Sequence, residues 1–320
     1  MMKILITGCN GFVGKHLVEF CLSQQCEVIG IGRGEGSQEP SDIHDKYTYV
    51  KGDFSDVEFV KNLLDHFQPD GLIHLAAQSS VKDSWSDISG TVDVNLSKTV
   101  SLYEGIRKST LANKLKVLSV GSSEEYGYID QGKMPIRESE RLLPVSPYGL
   151  SKYLVETVNE YYIRQFGLNI LHARPFNHIG PGQSLGFVVP DFSAQIVNIE
   201  LGKQAPVMNV GNLDAKRDFL DVRDIVRSYF LLLQYGTQGE IYNVCSGISI
   251  SIRSILDTLV SMSNIKITVN VDPKLIRKID VPDYYGSNEK IQHELSWTPE
   301  FHISTSLADS LNYYREIIKV

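Results

Sequence analysis

The chain is poor in cysteine. Its four residues, Cys9, Cys21, Cys26 and Cys245, are scattered over 320 positions with no CxxC pair and no metal-ligand spacing. That excludes a disulfide framework and a thiolate metal centre, and leaves buried thiols in a reducing compartment as the expectation. Long apolar runs are also missing. None approaches the roughly 18 consecutive apolar residues of a membrane span. The first run, Ile4–Ile6, breaks at Thr7-Gly8, too short for the core of an export signal. A cytoplasmic protein with no membrane partner and no metal is expected. Basic charge is scarce as well: 31 Lys and Arg stand against 38 Asp and Glu, a net charge of −7. Such a balance argues against a nucleic-acid partner, although a local group of arginines can still hold an anionic ligand.

What is present is an ordinary globular composition, 42 % hydrophobic and 22 % charged. The length suits one large domain and a smaller one. Apolar runs at Lys3–Thr7, Glu27–Gly32, Gly71–Leu75, Lys116–Val120 and Asn169–Ala173 alternate with helical spacing at Gly11–Ser23, Val57–His66, Val92–Lys108 and Tyr148–Arg164. Unbroken runs between helices mean strands buried on both faces, hence an α/β fold with a doubly wound, Rossmann-type parallel sheet. Ile225–Leu233 and Glu240–Val244 are predicted to return to that sheet, and the chain beyond Cys245 reads as an irregular cap. The lobes are therefore expected to interleave. Residues 1–176 and 223–244 form the dinucleotide lobe, and 177–222 and 245–320 a smaller C-terminal α/β substrate lobe.

The first strand runs straight into Thr7-Gly8-Cys9-Asn10-Gly11-Phe12-Val13-Gly14. Gly8 suits a tight turn, Gly11 lets backbone approach a pyrophosphate, and Gly14 lets a helix pack on the strand, while the helix N-terminus offers N–H groups to phosphate. The second strand ends Gly30-Ile31-Gly32-Arg33, without the acid that would bind a free ribose 2′-hydroxyl. Arg33 suits a 2′-phosphate instead, which favours NADP(H) and leaves NAD(H) possible. Asp53 and Phe54 follow the third strand, where they meet the adenine edge or, for Asp53 or Ser55, cap a helix. Small residues in His74-Leu75-Ala76-Ala77-Gln78 let the backbone pass close to a cofactor.

Tyr148 and Lys152 lie four residues apart, on one face of a helix. A tyrosine is a poor acid–base at neutral pH, with an ordinary pKa of about 10, until a neighbouring ammonium stabilises its phenolate. The pair then makes a proton donor and acceptor for carbonyl chemistry. Ser122, at the end of Lys116–Val120, is placed to hydrogen-bond the same reacting oxygen. Glu124 follows two residues later, within reach of a neighbouring carbon.

Taken together these motifs resemble the extended short-chain dehydrogenase/reductase family, in its nucleotide-sugar branch. The likeness continues through Arg174–Gln183 (RPFNHIGPGQ), Val210-Gly211-Asn212, Arg217–Asp224 (RDFLDVRD) and Tyr242–Gly247 (YNVCSG), and so covers essentially the whole chain. The resemblance implies a homodimer formed by helices Val92–Lys108 and Tyr148–Arg164, and a GDP-linked 4-keto-6-deoxy sugar as partner, its C4 ketone reduced with Tyr148, Ser122 and Lys152 as catalysts. It implies that Asn95 braces the cofactor end. Gln78, Ser123, Asn177, Arg217 and Arg277 are implied for the substrate, the arginines for its ribose and diphosphate. In the family's dehydratases a glutamate at the place of Glu124 removes the C5 proton, so dehydration or epimerisation stays open, as does reduction from the opposite face to a 6-deoxytalose. His178 reads as a hydrogen-bonded structural residue. Arg277-Lys278-Ile279-Asp280-Val281-Pro282 lacks the proline that the family carries after the arginine.

Overall fold

Valine, isoleucine and leucine in unbroken runs give strands that bury both faces, and the computed structural model, which describes residues 1–34, 44–275 and 281–319, builds its main sheet from them. In chain order the elements are β1 (Lys3–Thr7), α1 (Phe12–Ser23), β2 (Glu27–Gly32), β3 (Tyr47–Lys51), α2 (Val57–Phe67), β4 (Gly71–His74), α3 (Val81–Ser86) and α4 (Ile88–Val92). A π-helical turn, Asp93–Ser97, leads into α5 (Lys98–Lys108), followed by β5 (Lys116–Val120), α6 (Pro147–Phe166) and β6 (Asn169–Pro175). The remaining chain forms β7 (Asn177–Ile179), α7 (Val188–Glu200), β8 (Val207–Val210), β9 (Lys216–Asp221), α8 (Val222–Tyr235) and β10 (Ile241–Val244). It closes with β11 (Ser249–Ser251), α9 (Ile252–Ser261), β12 (Thr268–Val271), β13 (Asp283–Tyr284), α10 (Glu289–Leu295) and α11 (Ile303–Ile318).

The main sheet is parallel, with seven strands in the order β10-β6-β5-β4-β1-β2-β3 among the described residues. β1 pairs with both β2 and β4, so Ile4 faces Val28 on one side and Gly71 on the other. Strand order reverses there, which opens a crevice at the carboxyl ends of β1 and β4. Side chains alternate across the sheet. Ile4 and Ile6 join Leu17, Leu118, Val226 and Tyr229 in one core, while Leu5 joins Leu72, Leu102, Ile106 and Val117 on the opposite face. A separate core gathers Ile196, Val210, Phe219, Ile255 and Leu311. Between it and the sheet lies a small cluster that includes Tyr126, Ile136, Phe176 and Tyr284.

Two segments differ from the sequence-based reading. Val92–Lys108 is not one α-helix: helix begins at Ile88 and passes through the π turn. There the Thr99 hydroxyl donates to the Asn95 carbonyl at 2.6 Å, competing for the acceptor a regular turn would use. The chain beyond Cys245 is more regular than a cap of loops, with α9, α10 and α11. The α9 residues Ile252, Ile255, Leu256 and Leu259 keep a helical period and are buried.

Helix α10 and its exit pack under the main sheet: Ile291 and Trp297 belong to the same core as Ile4 and Tyr229. The indole is fully buried, with the Arg227 guanidinium 5.6 Å from its ring centre. Trp297→Ala is expected to cost about 3–5 kcal/mol and Trp297→Phe less than half of that, read from urea denaturation midpoints at constant m.

Candidate active site

The β1–α1 turn is fixed by two glycines. Gly8 has φ +74°, and a Cβ there would stand 2.9 Å from the Ala76 amide nitrogen; a Cβ on Gly14 would stand 2.1 Å from the Gly8 oxygen. Gly11 precedes α1, which has no side-chain cap and no acid in its first turn, so its leading N–H groups and positive dipole end are available to an anion. Phe12 stacks on His178 at 6.0 Å and 11°, joining α1 to the chain beyond β6; Val13 packs against the main core. His178 is half-buried, contacts the Phe176 carbonyl oxygen through Nδ1 at 3.0 Å, and is pushed down in pKa by desolvation.

Arg33 is exposed at the tip of β2. The neighbouring Gly32 has no room for a side chain: its Cβ would lie 2.7 Å from the Tyr49 hydroxyl and 3.0 Å from Asn10 Nδ2. Tyr49 donates to the Gly34 carbonyl at 2.6 Å and accepts from Asn10 at 3.3 Å. Asp53 accepts from Ser55 N at 3.0 Å and pairs with Lys98 at 3.3 Å. The cap of α2 is neither Asp53 nor Ser55 but Asp56, which accepts from Glu58 N and Phe59 N. Phe54 meets His74 edge-on at 5.2 Å.

His74 closes a chain of bonds that sequence reading missed. Its Nδ1 lies 2.7 Å from Thr7 Oγ1 and its Nε2 2.9 Å from Thr99 Oγ1. Thr7 Oγ1 also accepts the Ala76 N–H at 3.3 Å, which sets the path of Leu75, Ala76 and Ala77 past the glycine turn. Asn95 then ties both ends of the crevice: Oδ1 accepts Gln78 N at 2.7 Å, and Nδ2 donates to Gln78 O at 3.0 Å and to Ser151 Oγ at 2.9 Å. Gln78 donates to Ser80 O at 2.9 Å, while its buried Oε1 has no hydrogen-bond partner.

The chemical end is assembled by the start of α6. Ser146 caps it with Pro147 in the first position, and Ser84 Oγ accepts the Tyr148 N–H at 3.2 Å. The Tyr148 phenol is buried, and the Ser122 hydroxyl just after β5 is close enough to favour its phenolate. Lys152 Nζ donates to the Val120 carbonyl at 2.7 Å. The structure thus brings Ser122, Tyr148 and Lys152 together. Burial pushes Tyr148 up, with Ser122 opposing, and pushes Lys152 down to about 8, with Glu125 opposing. A buried phenol beside a hydroxyl and an ammonium can pass a proton to a substrate oxygen. Glu124 accepts from Ser146 Oγ at 3.3 Å, and its charge also bears on Tyr148.

Beneath this trio lie Glu125, Glu156 and His172, their ligand atoms within 4.8 Å of one another. The cation among them is Arg174, 3.1 Å from Glu125 and 2.7 Å from Glu156. No local pattern marked this cluster, because Glu125 and His172 are 47 residues apart.

Of the residues predicted for substrate, Ser123 is buried and its carbonyl accepts the Tyr284 hydroxyl at 2.6 Å. Asn177 donates to Asp218 O at 3.1 Å. Arg217 donates to Val281 O at 2.7 Å. Arg277 lies outside the described residues. The buried Asp218 accepts from Ser246 N and Oγ and from Gly247 N at 2.7–3.0 Å, tying the β10–β11 loop to β9.

The family model described as GDP-mannose 4,6 dehydratase matches residues 5–310. The chain belongs to that family, within the extended short-chain dehydrogenases/reductases. It is 30% identical over 319 residues to the GDP-6-deoxy-D-mannose reductase of Pseudomonas aeruginosa, covering 99% of this chain and 98% of that one. It is 28% identical over 348 residues to the GDP-mannose 4,6-dehydratase of Yersinia enterocolitica, covering 97% and 92%. The structure of RMD from Pseudomonas aeruginosa complexed with NADPH superposes with a TM-score of 0.85 at 29% identity, covering 99% of both chains. The family thus spans a reductase and dehydratases on one Rossmann-like fold. No helix among the described residues is long and apolar enough to cross a membrane.

Burial, and then the charge of Lys152, push His74 down to about 3 from an ordinary 6.5. The unfolded chain takes up this proton near pH 6.5 and the folded one does not, so folding loses stability as pH falls between those values, at about 1.4 kcal/mol per pH unit. His74→Asn is expected to flatten that part of the stability–pH curve, measured by urea denaturation from neutral to acid pH.

Proposed function

We propose that the chain reduces the C4 ketone of a GDP-linked 4-keto-6-deoxy-D-mannose to GDP-D-rhamnose, with NADPH as the favoured reductant. The observation that carries this reading is the buried phenol of Tyr148 next to Ser122, with Lys152 one helical turn on and bonded to the Val120 carbonyl. Alignment with a GDP-6-deoxy-D-mannose reductase over nearly all of both chains supports it.

The residues present fit a dinucleotide. The uncapped start of α1 suits a pyrophosphate, Gly14 has no room for a side chain, and Gln78 Oε1 is a buried acceptor waiting for a donor. In this reading Gly8, Gly11, Phe12, Val13 and Gly14 hold the pyrophosphate, Asp53 and Phe54 face the adenine, and Leu75, Ala76 and Ala77 let backbone pass close to the nicotinamide half. Arg33 takes a 2′-phosphate. The packing of Tyr49 and Asn10 over Gly32 supports that assignment, since it removes the space for an acid at the strand tip.

When bound, the reduced nicotinamide supplies hydride to the ketone carbon. Tyr148 gives its phenolic proton to the oxygen that would otherwise become an alkoxide, and Ser122 donates a hydrogen bond to the same oxygen. Lys152 stabilises the phenolate left behind and holds the nicotinamide ribose. Asn95 keeps the Gln78 loop and α6 in register. Ser123 and Gln78 face the sugar, while Asn177, Arg217 and Arg277 take the diphosphate side in a substrate lobe of residues 177–222 and 245–320. The reading includes a cytoplasmic homodimer through α5 and α6, where Tyr161 and Phe166 stand exposed.

Glu124 favours a second reading, 4,6-dehydration of GDP-mannose, because a carboxylate two residues from Ser122 is placed to take a carbon-bound proton. Purified protein is expected to consume NADPH, followed at 340 nm, when given the 4-keto-6-deoxy sugar, and to leave GDP-mannose alone unchanged. Turnover of GDP-mannose without added reductant would replace the reductase reading with the dehydratase one. NMR of the reduced sugar distinguishes rhamnose from 6-deoxytalose.

Cofactor preference has its own test. Gly32→Asp is expected to weaken NADPH binding at least about tenfold, roughly 1.4 kcal/mol, without improving NADH. Only the pair Gly32→Asp with Tyr49→Ala is expected to gain NADH affinity, read by fluorescence titration.

A further inference from the structure

We propose that Glu125 is a positioning residue of the reaction: its buried carboxylate holds the Ser122 turn in place and keeps a negative charge beside Lys152. The inference rests on the reading in which Tyr148, Ser122 and Lys152 act on the substrate.

A glutamate three residues after a serine is at first sight a capping box. Here the Ser122 side chain accepts from the turn, and Glu125 Oε1 accepts the Ser122 N–H at 2.7 Å. A capping box needs neither full burial nor cationic partners. Glu125 has both. It is 0% exposed, its two oxygens each lie 3.2 Å from His172 Nε2, and Oε2 lies 3.1 Å from Arg174 Nε. The surroundings are built to this contact. A Cβ on Gly121 would stand 2.1 Å from Glu125 Oε1 and 2.3 Å from His172 Nε2, so the residue before Ser122 must be bare.

The protons of the network can be placed from its bonds. Tyr103 donates its hydroxyl to Asn159 Oδ1 at 2.6 Å, so Asn159 turns its NH2 toward His172 Nδ1 at 3.0 Å. His172 Nδ1 is therefore an acceptor, and the ring proton sits on Nε2, aimed at Glu125. Arg174 reaches Glu125 from β6 and also grips Glu156 of α6 at 2.7–2.9 Å, its guanidinium 4.6 Å over the Tyr126 ring. Glu156 and Glu125 lie side by side, their nearest oxygens within 4.8 Å. Burial favours a proton on both carboxyls, but His172 and Arg174 outweigh it at Glu125 and hold it at about 2. Glu156, by contrast, is pushed up by burial and by Glu125. Glu125 thus carries a negative charge between His172 and Arg174.

That charge bears on the reacting groups. Lys152 faces His74 from β4 and Glu125 from the turn after β5, with Tyr148 one turn before it on α6 and Glu124 bearing on Tyr148. His74 is neutral, and Glu125 is the charge that favours the ammonium against burial. It also favours the protonated phenol of Tyr148. Removing it makes both groups lose their protons at lower pH. Reduction needs the phenolic proton, so the alkaline limb of the rate profile must then move toward acid.

The test separates charge from reach, using whichever GDP-linked sugar the wild-type chain turns over, so that failure of the reductase reading leaves it intact. Glu125→Gln keeps an acceptor for Ser122 N–H and removes the charge. It is expected to shift the alkaline limb of kcat acidward by on the order of one pH unit, with near wild-type kcat at the acid end. Glu125→Asp keeps the charge but is one methylene short of Ser122. It is expected to lose about tenfold in kcat at every pH, with the limb in place and KM and the Kd for NADPH within about twofold. Glu156→Gln, which alters the same network but keeps the Glu125–Ser122 bond and the Glu125 charge, is expected to leave the limb in place. A Glu125→Gln limb that coincides with wild type, or a Glu125→Asp enzyme with full kcat, overturns the proposal. If Glu125→Gln yields no folded protein by circular dichroism, the Glu125→Asp result decides.

Discussion

Three segments far apart in sequence meet at the carboxamide of Asn95, and the rest of the crevice depends on how that one group is held. It satisfies both polar groups of the Gln78 peptide and reaches Ser151, whose hydroxyl donates in turn to the Tyr148 carbonyl at 2.7 Å. Each buried donor or acceptor of that peptide left without a partner would cost about 1–3 kcal/mol. Through these bonds it joins the loop after β4 to the start of α6. Asn95 lies buried within the π turn Asp93–Ser97, an irregularity of the kind found at functional sites.

What was legible in the chain was whatever local chemistry determines. The glycine turn could be read because Gly8 and Gly14 answer to steric limits set within a few residues. Tyr148 and Lys152 could be read because helical spacing alone puts them on one face. The strands of the main sheet announced themselves by apolar runs, and Ile241–Val244 joined them as expected. The cap of α2 was misplaced because Asp53-Phe54-Ser55-Asp56 offers three capping side chains in a row, and only the last stands directly before the first helical residue. His74 and His172 were opaque for a different reason. Each is a polar residue inside an apolar strand, and its meaning lies in partners that the fold supplies from other strands and helices.

The proposed reduction and the alternative dehydration call on the same acid, hydroxyl and ammonium. What separates them at the level of residues is the carboxylate of Glu124, which here accepts a hydrogen bond from the Ser146 hydroxyl that also caps α6. A base anchored to the cap of a helix is a base whose aim is set by that helix. The two adjacent glutamates meet different partners: Glu124 the Ser146 hydroxyl, and Glu125 His172 and Arg174.

The contact between Tyr49 and Gly32 reaches beyond the molecule as it stands. Because a Cβ at position 32 would lie 2.7 Å from the Tyr49 hydroxyl, a side chain there requires the Tyr49 ring to shift. A lineage that changed Gly32 first would lose packing at the strand tip before gaining any new contact, whereas one that shortened residue 49 first would open the space at little cost. The order of the two mutations therefore matters for packing at the strand tip.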